Sequence, residues 1–305
     1  DNDCDGQKDE MPVLCDDPAT LSAMEPYDFA RAIELCDTDH KCGVEQGCPG
    51  ELACVEGVCR RVLSASFDGD PKSRSIDVRF AKEGPLKPRT TQSFAILSTG
   101  LAMYDPRVVG ECPQIGTSYG LIGIDPDPTI SDPDANDLSE LKFELLVPTN
   151  ARSFSFEFHF LTSEYPDYLD TEFNDTFWVQ LISKKIIGNI SFDKKGTPIR
   201  LNNAFFDICD PDPAHPKTVQ FCTEPAQILT GTGMAKDCVT KDCGAISCGG
   251  STGWLITKAP VEPGEIITLI FSIFDKGDDI LDSTVLIDNF RWHLNPAQTG
   301  TEPVQ

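Results

Sequence analysis

Two acidic segments, far apart in the chain, hold the side chains best suited to chemistry. Residues 163–178 read SEYPDYLDTEFNDTFW and supply Glu164, Asp167, Asp170, Asn174 and Asp175. Residues 275–282 read DKGDDILD and supply Asp275, Asp278, Asp279 and Asp282. Each segment directly follows a Phe-rich apolar run, so each is expected at a strand end, where loops can meet. Carboxylates and amide carbonyls at this density suit the six to eight oxygens that Ca2+ takes. Neither segment contains the His or Cys that softer metals prefer. Taken singly, each of these carboxylates reads more readily as a solvated surface charge; the case for calcium rests on the two loops as a set.

The chain starts with a third acidic motif. DNDCDGQKDE has the D-x-D-x-D-G opening of an EF-hand-type loop, with Gly6 at the sharp turn. Asp1, Asp3 and Asp5 would bind through carboxylates and Gln7 through its carbonyl. Pro12 stands where such a loop places its closing Glu, so Asp9 or Glu10 would have to complete the shell. Pairing of Cys4 with Cys15 would close the loop covalently. The expected cofactor is therefore Ca2+.

Catalysis has weaker support. Glu164 with Asp167, or Asp278 with Asp282, could be posed as an acid and nucleophile pair acting on a glycan. Nothing in the sequence marks one carboxyl of either pair as desolvated. The four histidines (His40, His159, His215, His293) have no metal-ligand spacing, and there is no G-x-S-x-G or phosphate loop. The expectation is a protein that is not an enzyme. Asn174-Asp-Thr and Asn189-Ile-Ser match glycosylation sequons, and a glycan on Asn174 would compete with any metal there.

The elements that must position these residues come next. The chain has 305 residues, 40% hydrophobic, which is enough for a sizeable core. Its net charge of -24 argues against nucleic acid and anionic membrane surfaces as partners and favours cations. Residues 1–60 alone carry a net -11. The longest apolar run, 266–274, is half the length of a membrane span, so no membrane insertion is expected.

There are 13 cysteines, a density that reads as the disulfide framework of an exported protein. No paired short C-x-x-C spacing suggests zinc. Disulfides are expected among Cys4, Cys15, Cys42, Cys48, Cys54, Cys59, Cys209, Cys222, Cys238 and Cys248. The odd count leaves one thiol free or bridged to another chain.

Residues 25–36, EPYDFARAIELC, put Phe29, Ala30, Ile33 and Cys36 on one helical face, with Pro26 suitably early. Residues 41–59 are Gly-rich with four cysteines, a disulfide-stapled loop rather than a core. From residue 62 on, the pattern is that of strands. LKFELLV (141–147) and SFSFEFHF (153–160) alternate with period two; TFWVQLI (176–182), IITLIFSIF (266–274) and TVLIDNFRW (284–292) add more. The fold class expected is all-β: an antiparallel β-sandwich or jelly roll with a small disulfide-rich N-terminal region and one short helix. Segments 105–137 and 207–253 are expected as rim loops. The organisation is an acidic metal-binding leader over 1–24, a helix plus Cys-rich insertion over 25–61, a β-sandwich over 62–293 and an extended tail over 294–305.

Three segments, SFSFEFHFLTSEYPDYLDTEFNDTFWVQL, GNISFDKKGTPIRLNNAFF and IFDKGDDILDSTVLIDNFRW, resemble in that order the choice-of-anchor L domain, a β-rich module of exported bacterial proteins, often from myxobacteria. The S-E-Y-P loop followed by F-N-D, and the late D-S-x-V-x-I-D-N-F, are its specific parts, and GGSTGWLITKAPVEPGE (249–265) is similar too. FARAIELC followed by VLSASF resembles the segment that precedes such domains. DNDCDGQKDE resembles the Asp-Cys-Asp-Gly motifs of bacterial surface proteins. The resemblance implies export, an extracellular or cell-surface location and a jelly-roll-like fold, but no activity. The C-terminal NPAQTGTEPVQ has no apolar tail or sorting motif, so the expectation is either that an anchor was removed or that retention is achieved by other means.

The function expected is an extracellular structural subunit of a calcium- and disulfide-stabilised bacterial surface fibre or matrix, self-associating through its termini. One alternative is a calcium-dependent carbohydrate-binding or adhesive module, with Trp178, Trp254 or Tyr165 stacking on surface glycans. A secreted glycan-active enzyme is the other.

Overall fold

A computed structural model describes residues 17–36, 53–55, 58–80, 85–89, 92–102, 118–127, 134–166, 168–203, 205–209, 211, 213, 216–224, 226–230, 232, 234 and 249–304. Asp1, Asp3, Asp5, Gln7, Asp9, Glu10 and Asp167 lie outside these residues, as do Cys4, Cys15, Cys42, Cys48, Cys238 and Cys248.

Two seven-stranded sheets face each other, and every strand pairing within them is antiparallel. Strands are numbered in chain order. The first sheet runs β10 (Ile187–Asn189), β9 (Thr176–Ile182), β14 (Ile266–Asp275), β7 (Asp134–Leu146), β3 (Val62–Asp68), with β11 (Ile199–Arg200) beside β9 and β6 (Ile122–Ile124) beside β7. The second runs β12 (Ile208–Cys209), β13 (Gly250–Pro260), β8 (Ser153–Thr162), β15 (Ser283–His293), β5 (Phe94–Ser98), β4 (Arg74–Asp77), with β16 (Gly300–Pro303) beside β13. A separate hairpin joins β1 (Ala53–Val55) to β2 (Val58–Arg60). The segments expected as rim loops are partly ordered into these strands, because β6 and the start of β7 fall within 105–137 and β12 and the start of β13 within 207–253.

The period-two pattern explains the core. Phe154, Phe156, Phe158 and Phe160 of β8 point between the sheets and meet Phe177 of β9 and Phe271 of β14. The Phe156 and Phe271 rings lie 5.0 Å apart edge to face, and Phe158 and Phe177 lie 4.8 Å apart. These are favoured aromatic geometries that join one sheet to the other.

Alternation of this kind usually marks one wet face. Here the second face of β8 is buried as well. Phe80, Leu86, Leu229 and Met234, from segments flanking the sheet, pack with Leu161 and Leu286 as an outer apolar layer. Inspection of β8 alone could not reveal this cover, which comes from elsewhere in the chain.

His159 lies under that layer, edge-on to Trp254 at 5.6 Å, with neither ring nitrogen hydrogen-bonded. Burial pushes its pKa down to about 3, so the folded protein keeps it neutral. In the unfolded chain it protonates below about 6.5. Its contribution to stability is therefore full above that pH and is lost as pH falls toward 3, at up to about 1.4 kcal/mol per pH unit. His159→Leu is expected to flatten the acid side of a melting-temperature profile and to leave stability at pH 7.5 nearly unchanged or higher, since it removes two unpaired buried nitrogens.

The predicted helix is present as α1 (Pro26–Ala32), with Pro in its first turn and Asp28 near its positive end. Phe29, Ala30 and Ile33 enter the sandwich core itself. The Phe290 N–H donates to the Ile33 carbonyl at 2.9 Å, and Arg291 pairs with Glu34 at 2.6 Å. A second short helix, α2 (Pro216–Phe221), sits between β12 and β13 in sequence. Among the described residues, no helix is long and apolar enough to cross a membrane.

Candidate functional site: an acidic junction between two crossover arches

The chain leaves β8 at Thr162 in the second sheet and enters β9 at Thr176 in the first. It later leaves β14 at Asp275 in the first sheet and enters β15 at Ser283 in the second. Both acidic loops are thus arches that cross between the sheets. Register puts them at the same end, since Thr162 pairs with Ser283 and Thr176 with Phe274. Adjacent antiparallel strands leave the two arches no choice but to run side by side.

Local hydrogen bonds seal the junction. Ser163 donates from its backbone N–H (3.2 Å) and its hydroxyl (3.1 Å) to the Asp282 carbonyl. The Thr99 N–H donates to the Ser283 carbonyl at 3.0 Å, and the Ser283 N–H returns a bond to the Thr99 hydroxyl at 2.9 Å. A Cβ on Gly100 would overlap the Asp282 carboxyl, which would have to move to make room. The S-E-Y-P turn carries a cis Tyr165–Pro166 bond, and the Tyr165 hydroxyl donates to the Phe206 carbonyl at 2.7 Å.

Three carboxyls meet inside. Asp175 is fully buried; it accepts from the Ser283 hydroxyl at 2.6 Å and from the Lys276 backbone N–H at 3.2 Å. Glu164 and Asp275 are each only 2% exposed and both act on Asp175. Glu164 Oε2 and both carboxylate oxygens of Asp275 are buried and have no hydrogen-bond partner of good geometry. Burial, then the Asp175 charge, pushes Glu164 up to about 10. Burial foremost lifts Asp175 to about 7 and Asp275 well above the carboxylate range. Three such groups cannot all ionise together at this distance without a counter-charge. The groups acting on them are other acids and hydrogen-bond donors, and include no Lys or Arg side chain among the described residues. The Lys276 ammonium instead meets Asp125 at 3.1 Å and the Asp134 carbonyl at 2.7 Å.

The other predicted residues have different surroundings. Asp282 is nearly buried beside Asp275, and Asp278 is half-buried and near enough to raise Glu164 and Asp175. The Asp278 carboxyl receives the Ile280 N–H at 3.2 Å. Asp279 accepts from the Ser118 hydroxyl, outside the triad. Asn174 points its carbonyl oxygen to the Asn202 N–H at 3.2 Å, and Asp170 is exposed. Sequence reasoning missed Thr99, Gly100, Asn136 and Asp137. The Asn136 amide donates to the Asp278 carbonyl at 3.0 Å, and Asp137, at φ 46°, accepts N–H bonds from Tyr119 and Leu121. The only available signal was the S-T-G at the end of β5, which is too short to read.

Among the described residues, no group of three or more His, Cys, Asp or Glu side chains is already spread around an ion-sized centre. Within the triad, Asp175 interacts with both Glu164 and Asp275.

Of the expected disulfide residues, Cys209 and Cys222 are bonded to each other, tying β12 to the end of α2. Cys54 is disulfide-bonded, as is Cys36, which was not among the expected ones. Cys59 faces Cys54 in the β1–β2 register.

The family model of the choice-of-anchor L domain matches residues 61–290, from the start of β3 to within β15. The chain belongs to the choice-of-anchor L domain family. Membership places it among surface-associated bacterial proteins, secreted or held at the cell surface. No curated protein matches the chain. The choice-of-anchor L match includes both acidic arches but omits α1 and β16, which the structure packs against the same sandwich.

Proposed function

We propose that the protein is a structural subunit of an extracellular bacterial fibre or matrix, stiffened by disulfides and a divalent cation, with no catalytic role. The observation that carries this reading is the inward direction of the acidic arches. Glu164, Asp175 and Asp275 are buried between the arches rather than facing solvent, and the bonds of Ser163, Thr99 and Ser283 fasten the sheet ends there. The carbohydrate-binding alternative needs exposed aromatics. Tyr165, Trp178 and Trp292 are buried, and Trp254 packs on His159, which weakens that alternative.

Self-association through the termini is part of the proposal. β16 adds to β13 as a short end strand, with Leu255 opposite Pro303 and Lys258 opposite Gly300. The same register is open to a β16 donated by a neighbouring copy, a head-to-tail contact that does not close on itself. Light scattering and negative-stain microscopy of the native protein are expected to show multimers that shrink when residues 298–305 are deleted. A strictly monomeric preparation at high concentration and in millimolar Ca2+ would rule the assembly out.

A further inference from the structure

We infer that Glu164, Asp175 and Asp275 form a Ca2+ site that bolts the two crossover arches together, with Asp282 and the Thr99 and Ser283 hydroxyls as further oxygen donors. The inference deepens the structural reading above and rests on it only for its biological purpose.

Its first support is geometric. A cluster of acids on a surface means little, but here three carboxylate oxygens, Glu164 Oε2 and both of Asp275, are buried in the junction; Asp175 and, for Asp275, Thr99 lie beside them without a hydrogen bond of good geometry. Leaving a buried polar atom unsatisfied is destabilising, and more so for a charged one. Natural interiors carry few such atoms, and three at one point call for a missing partner. Once these carboxyls ionise, that partner must be positive, since among the described residues the side-chain charges acting on them are negative. The Lys276 ammonium, next in the chain to Asp275, is engaged with Asp125 and the Asp134 carbonyl.

Ligand chemistry selects the cation. The donors are carboxylate and hydroxyl oxygens without nitrogen or sulfur, which disfavours Zn2+ and Cu2+. They come from three separate pieces of backbone: the 163–175 arch, the 275–283 arch and the end of β5. Such a set can spread by a few tenths of an ångström, which the longer and more variable Ca–O distances tolerate and rigid octahedral Mg2+ does not. Asp175 acts directly on both Glu164 and Asp275, and among the described residues no three acids are already arranged to hold an ion. Ca2+ entry separates them, takes up the unpartnered oxygens and ties the β8–β9 arch to the β14–β15 arch.

The test uses the full chain with Asp3→Asn and Asp5→Asn in place, to silence the N-terminal D-x-D-x-D-G motif. After chelation, calorimetric titration with CaCl2 is expected to show one site with a preference over MgCl2. Adding Asp275→Asn or Glu164→Gln is expected to weaken it on the order of 100-fold. Because a buried variant can misfold, amide hydrogen exchange of the parent chain with and without Ca2+ is the second measurement. Added protection concentrated in residues 162–176 and 275–284 supports the site. No protection there, no calcium binding, or undiminished affinity in a folded Asp275→Asn protein overturns it. Multimers without calcium binding would remove the site and keep the structural reading. Calcium binding in the arches of a permanently monomeric protein would do the reverse.

Discussion

In the presence of chelator, the melting temperature of this protein is expected to fall as pH rises from about 4.5 to 9, the opposite of ordinary acid denaturation. The sign follows from proton counting. Glu164, Asp175 and Asp275 have folded-state pKa values raised above those of the unfolded chain, so the native state holds protons that the unfolded state has released. Their contribution is complete below the unfolded carboxylate range near 4 and is lost as pH climbs through about 7 for Asp175 and about 10 for Glu164. Each retained proton costs up to about 1.4 kcal/mol per pH unit. Asp137, Asp207, Asp278 and Glu140 are also raised, chiefly by burial, and add in the same sense. His159 and His293, both lowered, oppose them on the acid side of neutrality. Glu164→Gln keeps the shape and removes the ionisation, so it is expected to raise the chelated protein's melting temperature at pH 9 and flatten the profile. Calcium is expected to do the same for the parent chain, and by RT ln(1 + [L]/Kd) its effect grows with concentration. Calorimetry at four pH values, with EDTA or with 5 mM CaCl2 (about 4 kcal/mol at a thousandfold excess over Kd), checks both. A chelated profile that rises steadily from pH 5 to 9 would contradict the buried triad.

Phe156→Ala is expected to be the most damaging single core change, costing about 3–5 kcal/mol and lowering the melting temperature by roughly 10 °C. Phe156 is fully buried mid-strand in β8, stacks edge-to-face on Phe271 at 5.0 Å and lies 6.0 Å from Phe158. Both faces of β8 are covered, so neighbouring strands cannot tilt inward to fill the cavity without opening the outer layer. Phe156→Leu is expected to recover half or more of the loss, because it refills most of the volume. Chemical denaturation with an unchanged m-value measures this; a loss below about 1 kcal/mol would mean the sheets collapse freely onto each other.

Much of the architecture could be read from the chain. Strand β9 coincides with TFWVQLI, and β8, β14 and β15 begin or end within a residue or two of the runs that announced them. Period-two alternation is a local property, so it survives without knowledge of neighbours. The starts of β6, β12 and β13 were hidden because they sit in Gly-, Asp- and Cys-rich segments whose strand state depends on pairing with β7, β13 and β8 respectively. Helix α1 was legible from its apolar stripe, yet not its destination, since nothing local says that Ile33 would meet Phe290.

The sequence by itself determined the chemistry on offer: an excess of acid, oxygen donors without nitrogen or sulfur in two loops, a disulfide framework and the family. Only the tertiary structure decided which of those acids act together. Two arches crossing between the same pair of sheets, fixed by the Thr162–Ser283 and Thr176–Phe274 pairings, bring Glu164, Asp175 and Asp275 into contact. The same arrangement leaves Asp279 with Ser118 and Asn174 with Asn202. Residue type is a property of the chain, whereas desolvation and proximity belong to the fold, because both depend on segments about a hundred positions apart closing over the same few oxygens.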